Sequence, residues 1–223
     1  MLQFDEASHT YTLLGSELRS VSSVVASQFR KFNSHAVSRA LAKSKAREEG
    51  SPYFGMTQEE IVEKWSETSR ESREAGTALH RNIEEFFKYG VEPENNQTPE
   101  WKQFMEFRSV NPDWVCIANE YQVHNDKVAG TIDAIFDTPE GLVLVDWKRT
   151  KAIDFCGFGM GKDVMKHVPD CNYSKYSLQL SLYKKLIPVT VAKCYIIQMH
   201  PSLETYQKIP AQDFSVEAGM LAG

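Results

Sequence analysis

Two acidic residues and one lysine stand where the sequence predicts neighbouring strands. Asp146 and Lys148 follow the apolar run 142–145, and Asp133 ends the motif GTID at 130–133. Residues 146 and 148 are two apart, so a strand would direct both side chains to the same face. If the two strands pair as a hairpin, the carboxylates of Asp133 and Asp146 lie side by side and repel by about 4 kcal/mol at ~4 Å and an effective dielectric of about 20. A divalent cation such as Mg²⁺ or Mn²⁺ would relieve this repulsion, so the pattern is that of a metal site beside an ammonium group. For D-x-K taken alone, a Lys–Asp surface pair at a strand end is the more common explanation.

Three further residues could complete such a site. His80 precedes the predicted strands, and Gln179 and Tyr183 follow them at a spacing that shares one helix face. Each has an ordinary alternative, because a lone histidine is usually packed or exposed and polar pairs on helices are common. With a metal that lowers the pKa of water, Lys148 would position the attacking water or stabilise developing negative charge.

The strands that must carry the acidic residues are visible in the composition. They are rich in β-branched and aromatic residues, and turn-forming residues separate the first three, as in a meander. We place the strands at residues 115–123, 130–136, 141–147 and 193–199. The apolar run before Asp146 is typical of a central strand that is buried on both faces.

Helices are predicted on both sides of the meander from amphipathic spacing and stop residues. We place them at residues 34–49, 57–90, 101–110 and 176–187, with a possible break in the polar stretch 66–75. Thr57 and Glu60 have the spacing of a capping box at the start of the long helix. This arrangement puts His80 on the helix before the meander and Gln179 with Tyr183 on the helix after it.

The remaining segments predict a hairpin and a long loop. Residues 9–26 are typical of a β-hairpin that turns at Gly15, followed by a helix capped by Ser22 or Ser23. Residues 150–173 are Gly-rich, basic and without periodicity, and a segment of this kind in a compact domain is more often functional than idle. We divide the chain into an N-terminal hairpin and helical elaboration at 1–75 and a core at 76–223, together forming one compact domain.

The composition is that of a globular protein, with 42% hydrophobic and 25% charged residues among 223. No apolar run approaches the ~18 residues that span a bilayer, and the N-terminus lacks the features of a signal or transit peptide. We therefore expect an intracellular protein. None of the four cysteines has C-x₂-C spacing, which gives no indication of a zinc or redox site.

The net charge of −5 conceals two basic blocks around an acidic one. Residues 26–49 hold six Lys/Arg and two Asp/Glu, residues 148–195 hold nine and three, and residues 50–122 hold seven and fourteen. Clustered basic charge can bind phosphate whatever the overall sum, because screening limits the reach of each charge. Ordinary solvated surface is an equally good explanation of the charge pattern alone.

Four motifs follow in order: GTALH at 76–80, GTID at 130–133, DWK at 146–148 and QLSLY at 179–183. In this order, on these predicted elements, they resemble the PD-(D/E)XK nuclease superfamily, in particular its RecB-like branch, over about residues 76–199. The DWK motif, the Gly-rich segment, PDCNY at 169–173 and YSLQL at 176–180 are similar to the mitochondrial genome maintenance exonuclease group and its viral relatives. The opening hairpin is similar to phage-type members of that group.

The resemblance implies an α/β fold with a central mixed β-sheet flanked by helices, a restriction-endonuclease-like core. The implied ligands of Mg²⁺ or Mn²⁺ are His80, Asp133, Asp146 and the backbone carbonyl of Trp147. Lys148 would be the catalytic lysine, and Gln179 and Tyr183 would organise the site and the nearby DNA strand. Glu84 and Glu120 could hold a second metal or its waters, although plain surface carboxylates are an equal alternative. The sequence shows neither the cysteine cluster of iron–sulfur relatives nor a P-loop, so we expect no iron–sulfur cluster and no motor in this chain. It shows no mitochondrial presequence either, so the mitochondrial location of that group does not carry over.

Basic and aromatic residues are interleaved around the predicted catalytic strand, a mixture that suits single-stranded DNA. The candidate DNA-binding residues are Arg149, Lys151, Lys162, Lys166, Tyr173, Lys175 and Tyr176. Phe155 and Phe158 belong to the same segment, with core packing as the alternative for the aromatics. The helix at 34–49, with Arg39, Lys43, Lys45 and Arg47, could form the other wall of a channel, and His167 could be a further contact.

These observations predict a Mg²⁺- or Mn²⁺-dependent deoxyribonuclease, more specifically an exonuclease on single-stranded ends. A single-strand or structure-specific endonuclease is the first alternative. A non-catalytic DNA-binding accessory protein of recombination or repair is the alternative from another class, and an RNA-directed nuclease is a third. The sequence leaves the polarity of degradation, the number of metals and the oligomeric state open.

Overall fold

The structure, a computed structural model, describes residues 2–5, 8, 10–157 and 159–223. The strands in this part of the chain are β1 Leu2–Asp5, β2 Thr10–Leu13, β3 Ser16–Ser20, β4 Val115–His124, β5 Val128–Thr138, β6 Gly141–Arg149, β7 Lys193–Met199 and β8 Gln207–Pro210. The α-helices are α1 Val21–Ser27, α2 Ser34–Ser44, α3 Gln58–Tyr89, α4 Pro99–Val110, α5 Asn172–Leu186 and α6 Ser215–Ala222. Short 3₁₀ helices lie at Lys45–Arg47 and Asp163–Met165. Among the residues described, no helix combines the length and the apolar character needed to cross a membrane.

The chain divides into two compact units, residues 1–30 with 79–223 and residues 31–78. The expected boundary after residue 75 left the N-terminal hairpin outside the core. In the structure the hairpin belongs to the unit that contains the sheet, because β3 pairs in parallel with β5 through Arg19↔Val128 and Ser20↔Ala129. This pairing joins residues that are more than 100 positions apart, so local sequence patterns do not reveal it.

The sheet is mixed, with its strands in the order β1-β2-β3-β5-β6-β7-β8 and with β4 pairing with β5. The pairs β3·β5 and β6·β7 are parallel and the others are antiparallel. Strand β5 pairs with β3 through its first residues and with β6 from Ala134 onward. Its residues 130–133 therefore face the space between β3 and β6, and this space holds the candidate site.

Helices cover both faces of the sheet. On one face, α3 and α4 pack on β5, β6 and β7 through a core that includes Trp101, Phe104, Phe136 and Trp147. On the other face, α1, α5 and α6 pack through a core that includes Leu178, Leu144 and Ile196. The predicted α/β class, a central mixed sheet flanked by helices, is confirmed.

Local details differ from the sequence prediction at several points. Ser20, and not Ser22 or Ser23, caps α1, because its hydroxyl accepts the Ser23 N–H at 3.1 Å. Helix α3 runs through the polar stretch 66–75 without a break, and the predicted capping box of Thr57 and Glu60 is present at its start. Strands β1 and β8 and helix α6 were not predicted, since they are short and lack a clear period.

Candidate active site

The site begins where strands β5 and β6 separate. Their antiparallel ladder ends at Ala134↔Val145, and one step further in the same register Asp133 faces Asp146. Here the Asp133 carboxylate takes over the role of a ladder acceptor, because the Trp147 N–H donates to Asp133 Oδ2 at 2.8 Å. This hydrogen bond fixes the Asp133 carboxylate at the strand end.

His80 of α3 joins this strand end. Its Nε2 lies 3.0 Å from the carbonyl oxygen of Trp147, and its Nδ1 lies 3.7 Å from Asp133 Oδ2 and 3.6 Å from Glu120 Oε1. One ligand atom from each of His80, Glu120 and Asp133 lies within 4.8 Å of the other two. A nitrogen and two carboxylate oxygens at this spacing can hold a divalent cation.

Glu120 reaches this group through an unusual backbone conformation. Strand β4 carries an irregularity between Cys116 and Ala118, and Glu120 has a φ of +46°, in the left-handed region that costs an L-residue roughly 1–2 kcal/mol. Strain of this kind persists only when surrounding contacts hold it, and it is concentrated at functional sites. This conformation occurs within strand β4, and it directs the Glu120 carboxylate towards His80 of α3.

The carboxylates control the protonation of His80. Burial lowers the pKa of its imidazole, but Asp133 and Glu120 outweigh burial and raise this pKa to about 9. Without a metal, His80 is therefore an imidazolium at neutral pH. A bound cation would replace that proton, since a ligating nitrogen must be unprotonated.

Buried Asp146 and half-buried Lys148 form an ion pair beside this group. Lys148 Nζ donates to Asp146 Oδ1 at 2.8 Å, while Asp146 Oδ2 is buried and has no hydrogen-bond partner among the residues that the structure describes. Burial raises the pKa of Asp146 to about 6, against the opposing effect of Lys148. Burial also lowers the pKa of Lys148, but the carboxylates of Asp146 and Asp133 outweigh it and raise that pKa. The lysine thus stays cationic, and the unpartnered oxygen of Asp146 is costly unless a donor or a cation satisfies it.

Helix α5 supplies the aromatic and amide groups of the site. Lys148 Nζ lies 4.9 Å from the ring centroid of Tyr176, and Gln179 Nε2 donates to the Tyr183 hydroxyl at 3.2 Å. Burial raises the pKa of Tyr183 well above 10, so its phenol stays neutral and can donate a hydrogen bond. The Tyr183 ring packs so closely on Gly130 that a Cβ there would lie 2.7 Å from it, which explains the glycine of the GTID motif.

A pocket of about 310 Å³ opens onto these groups. The predicted residues that line it are His80, Glu120, Asp133, Gln179 and Tyr183. The lining also includes hydroxyl groups that the sequence did not predict as part of the site, which we call the hydroxyl wall: those of Tyr11, Ser20, Ser22 and Thr131. The Tyr11 hydroxyl is 2.8 Å from Thr131 Oγ1, so the hairpin is tied to β5 beside Asp133. Thr131 lies in the GTID motif, but only the long-range β3·β5 pairing brings the hairpin residues to it.

The structure groups the predicted metal ligands differently from the expectation. His80 and Asp133 lie together with Glu120, while Asp146 contacts Lys148 and, like Lys148, does not line the pocket. Glu84 does not join the group, because its carboxylate forms an ion pair with Lys88 one turn along α3. The Trp147 carbonyl contacts His80.

Several candidate DNA-binding residues are engaged within the protein. Arg149 donates to Glu100 at 2.6 Å and Lys175 to Asp170 at 2.7 Å, so neither cation is free in this structure. The Tyr173 hydroxyl donates to the Pro210 carbonyl at 2.9 Å, and Tyr176 lies against Lys148.

Other candidates remain accessible. Lys151, Lys162 and Lys166 are exposed and have no ion pair with any residue that the structure describes. Phe155 is exposed and stacks near Tyr173 with a centroid distance of 4.5 Å, whereas Phe158 lies outside the described residues. His167 Nε2 lies 3.0 Å from Glu217 Oε1.

The sequence matches no protein-family model and no curated protein. The crystal structure of the protein SSO0001 is similar to this chain with a TM-score of 0.42 and 11% sequence identity, covering 95% of this chain and 75% of that one. A similarity of this strength says nothing about activity.

Proposed function

We propose that this chain is a Mg²⁺- or Mn²⁺-dependent deoxyribonuclease that removes nucleotides from single-stranded DNA ends. The observation that supports the proposal most is the group of His80, Glu120 and Asp133, whose ligand atoms lie within 4.8 Å of one another. The ion pair of Asp146 and Lys148 lies beside this group. Hard oxygen donors with one imidazole fit these ions. The unpartnered buried oxygen of Asp146 fits a nearby cation as well.

In this proposal His80, Glu120 and Asp133 would hold the ion, and Asp146 would add a further carboxylate near them. A bound Mg²⁺ or Mn²⁺ would neutralise charge on the phosphodiester and lower the pKa of the attacking water. Asp133 would be kept in place by the Trp147 N–H.

Lys148 acts as a fixed positive charge in the proposed reaction. Because Asp146 and Asp133 raise its pKa, it cannot serve as a general base near neutral pH. Asp146 orients its ammonium group, which can then stabilise the negative charge that develops on the phosphate.

Tyr183 and the hydroxyl wall would position the substrate. Gln179 donates to the Tyr183 oxygen, which leaves the phenol proton available for a phosphate oxygen. Tyr11, Ser20, Ser22 and Thr131 add neutral hydroxyl groups to the lining of the pocket. The pocket volume of about 310 Å³ limits what these groups can contact to a small part of a strand at a time.

The test compares end-labelled linear single-stranded DNA with a circular single strand, each with Mg²⁺ and with EDTA. The proposal predicts Mg²⁺-dependent degradation of the linear form only; nicking of circles would indicate an endonuclease instead. Lys148→Ala should abolish cleavage, whereas Lys193→Ala, whose side chain pairs with exposed Glu140, should cut normally. Circular dichroism establishes that the variants are folded, and normal cleavage by folded Lys148→Ala would refute the proposed mechanism.

A further inference from the structure

A second cavity lies wholly within the unit of residues 31–78, and none of the proposed active-site residues line it. Its volume is about 580 Å³. It is lined by Phe32 and Ser34 near the start of α2 and by Val62, Trp65, Ser66, Thr68 and Ser69 of α3. We call it the aromatic cavity, because its two largest lining side chains are aromatic.

The aromatic rings are accessible and firmly held. Phe32 is 65% exposed, and its ring centroid lies 5.7 Å from that of Trp65 at an angle of 60°. Trp65 Nε1 donates to the Tyr53 hydroxyl at 3.1 Å, and the Tyr53 ring meets the indole edge to face. The indole orientation is thus fixed before any ligand arrives, which lowers the entropy cost of stacking on it.

Apart from Val62 and the two aromatic residues, the residues that line the cavity are polar and uncharged. The hydroxyls of Ser34, Ser66 and Ser69 have no hydrogen-bond partner among the described residues, and Thr68 donates to the Lys64 carbonyl at 2.9 Å. Such hydroxyls can donate to or accept from the edge of a base. Val62 is the single aliphatic residue in the lining, too little for the apolar stripe that a docked amphipathic helix requires.

The segment that follows Phe32 is basic, whereas the stretch 58–71 of α3 carries five Glu beside Lys64 and Arg70. Residues 31–47 contain five Lys/Arg and no Asp or Glu. Of these five, Lys45 is the one with an ion pair in the described part of the chain, to Glu48. Exposed aromatic faces beside unpaired basic side chains are the combination by which single-stranded nucleic acid is held, with bases stacked and phosphates attracted.

We propose that the aromatic cavity binds unstacked bases of single-stranded DNA on Phe32 and Trp65, while the basic residues of 31–47 attract the adjoining phosphates. That the bound single strand is DNA and not RNA rests on the proposed function. The site itself is a separate binding site, and it gives the chain an affinity for bases that needs neither a metal nor cleavage.

The experiment measures binding of the full chain in EDTA by fluorescence anisotropy. The probes are labelled oligothymidylate and an abasic oligonucleotide of equal length and charge. Phe32→Ala and Trp65→Ala remove the stacking faces, and Phe32→Tyr and Trp65→Phe retain them. Phe54→Ala is the matched control, since Phe54 belongs to the same unit and is 55% exposed but does not line the cavity.

We expect Phe32→Ala and Trp65→Ala each to weaken oligothymidylate binding at least ~5-fold and to leave abasic binding unchanged. The aromatic replacements and Phe54→Ala should bind like the original chain. Unchanged oligothymidylate affinity, or an equal loss on both probes, would overturn the inference. A concentration-dependent dimer that Phe32→Ala dissociates would overturn it too, and would assign the cavity to a second copy of the chain.

These readouts separate the inference from the proposed function. If the chain binds bases but shows no Mg²⁺-dependent cleavage, the aromatic cavity remains a base-binding site and the proposed nuclease activity is rejected. Mg²⁺-dependent cleavage by a chain that binds the oligothymidylate and abasic probes equally would retain the nuclease and reject the base-binding role of the aromatic cavity.

Discussion

The protonation of His80 in the metal-free protein offers a quantitative test of the site geometry. Its Nδ1 lies 3.6 Å from Glu120 and 3.7 Å from Asp133, and these carboxylates raise its pKa from 6.5 to about 9. The experiment therefore varies the pH of the metal-free protein in EDTA. The variant Glu120→Gln removes one of the two carboxylates that raise the pKa of His80.

The magnitude follows from the pKa. A rise from 6.5 to about 9 corresponds to about 3 kcal/mol of stronger proton binding by the folded state, at 1.36 kcal/mol per pH unit. Because the folded-state pKa lies above the unfolded one, this stabilisation is complete below pH 6.5 and is lost as the pH rises through 9. The free energy of unfolding should fall by about that amount across this window, in addition to the effects of other groups.

The assay combines NMR titration of the histidine Cε1–H signals with urea unfolding at several pH values. The His80 signal is assigned by its loss in His80→Asn, and Glu120→Gln should lower the pKa of His80. The same two substitutions should reduce the pH dependence of stability between 6.5 and 9. A His80 pKa near 6.5 in EDTA would refute the geometry of this site.

Three substitutions test the packing and roles of neighbouring residues. Gly130→Ala should destabilise the protein by about 1–3 kcal/mol in urea unfolding, because the new Cβ meets the Tyr183 ring at 2.7 Å, whereas Gly76→Ala, with open space around its Cβ, should be neutral or stabilising. Glu120→Gly should be more stable than Glu120→Gln by about 1 kcal/mol, since glycine adopts a φ of +46° without strain; equal stabilities would contradict the strain. Tyr183→Phe should lower the kcat of DNA cleavage by about 10- to 100-fold through loss of one hydrogen bond to a charged group, with Tyr206→Phe as a control that keeps full activity.

The fold class and the central strands could be predicted because their signals are local. The apolar run before Asp146 and the turn-separated strands define the meander, and β7 has the predicted limits at Lys193–Met199. The side-by-side arrangement of Asp133 and Asp146 also follows from the register of a simple antiparallel hairpin.

The remainder of the site depends on tertiary contacts that leave no local pattern. Glu120 faces His80 because of a left-handed residue in a strand, while Glu84, which looked equivalent in sequence, is bound to Lys88 on its own helix. The hydroxyl wall forms because β3 pairs with β5, a strand that lies more than 100 residues further along the chain. Ser20 caps α1 because β3 ends there, earlier than the serine pattern suggested.

Whether His80, Glu120 and Asp133 bind a divalent ion can be measured with Mn²⁺, whose free-ion EPR signal is lost on binding. We expect the unmodified chain and Glu84→Gln to bind Mn²⁺ equally, since Glu84 pairs with Lys88 outside the ligand group. Asp133→Asn, which keeps an oxygen to accept the Trp147 N–H, should weaken binding at least ~10-fold. An unmodified chain that binds no Mn²⁺, or an Asp133→Asn chain that binds it as tightly, would contradict the account.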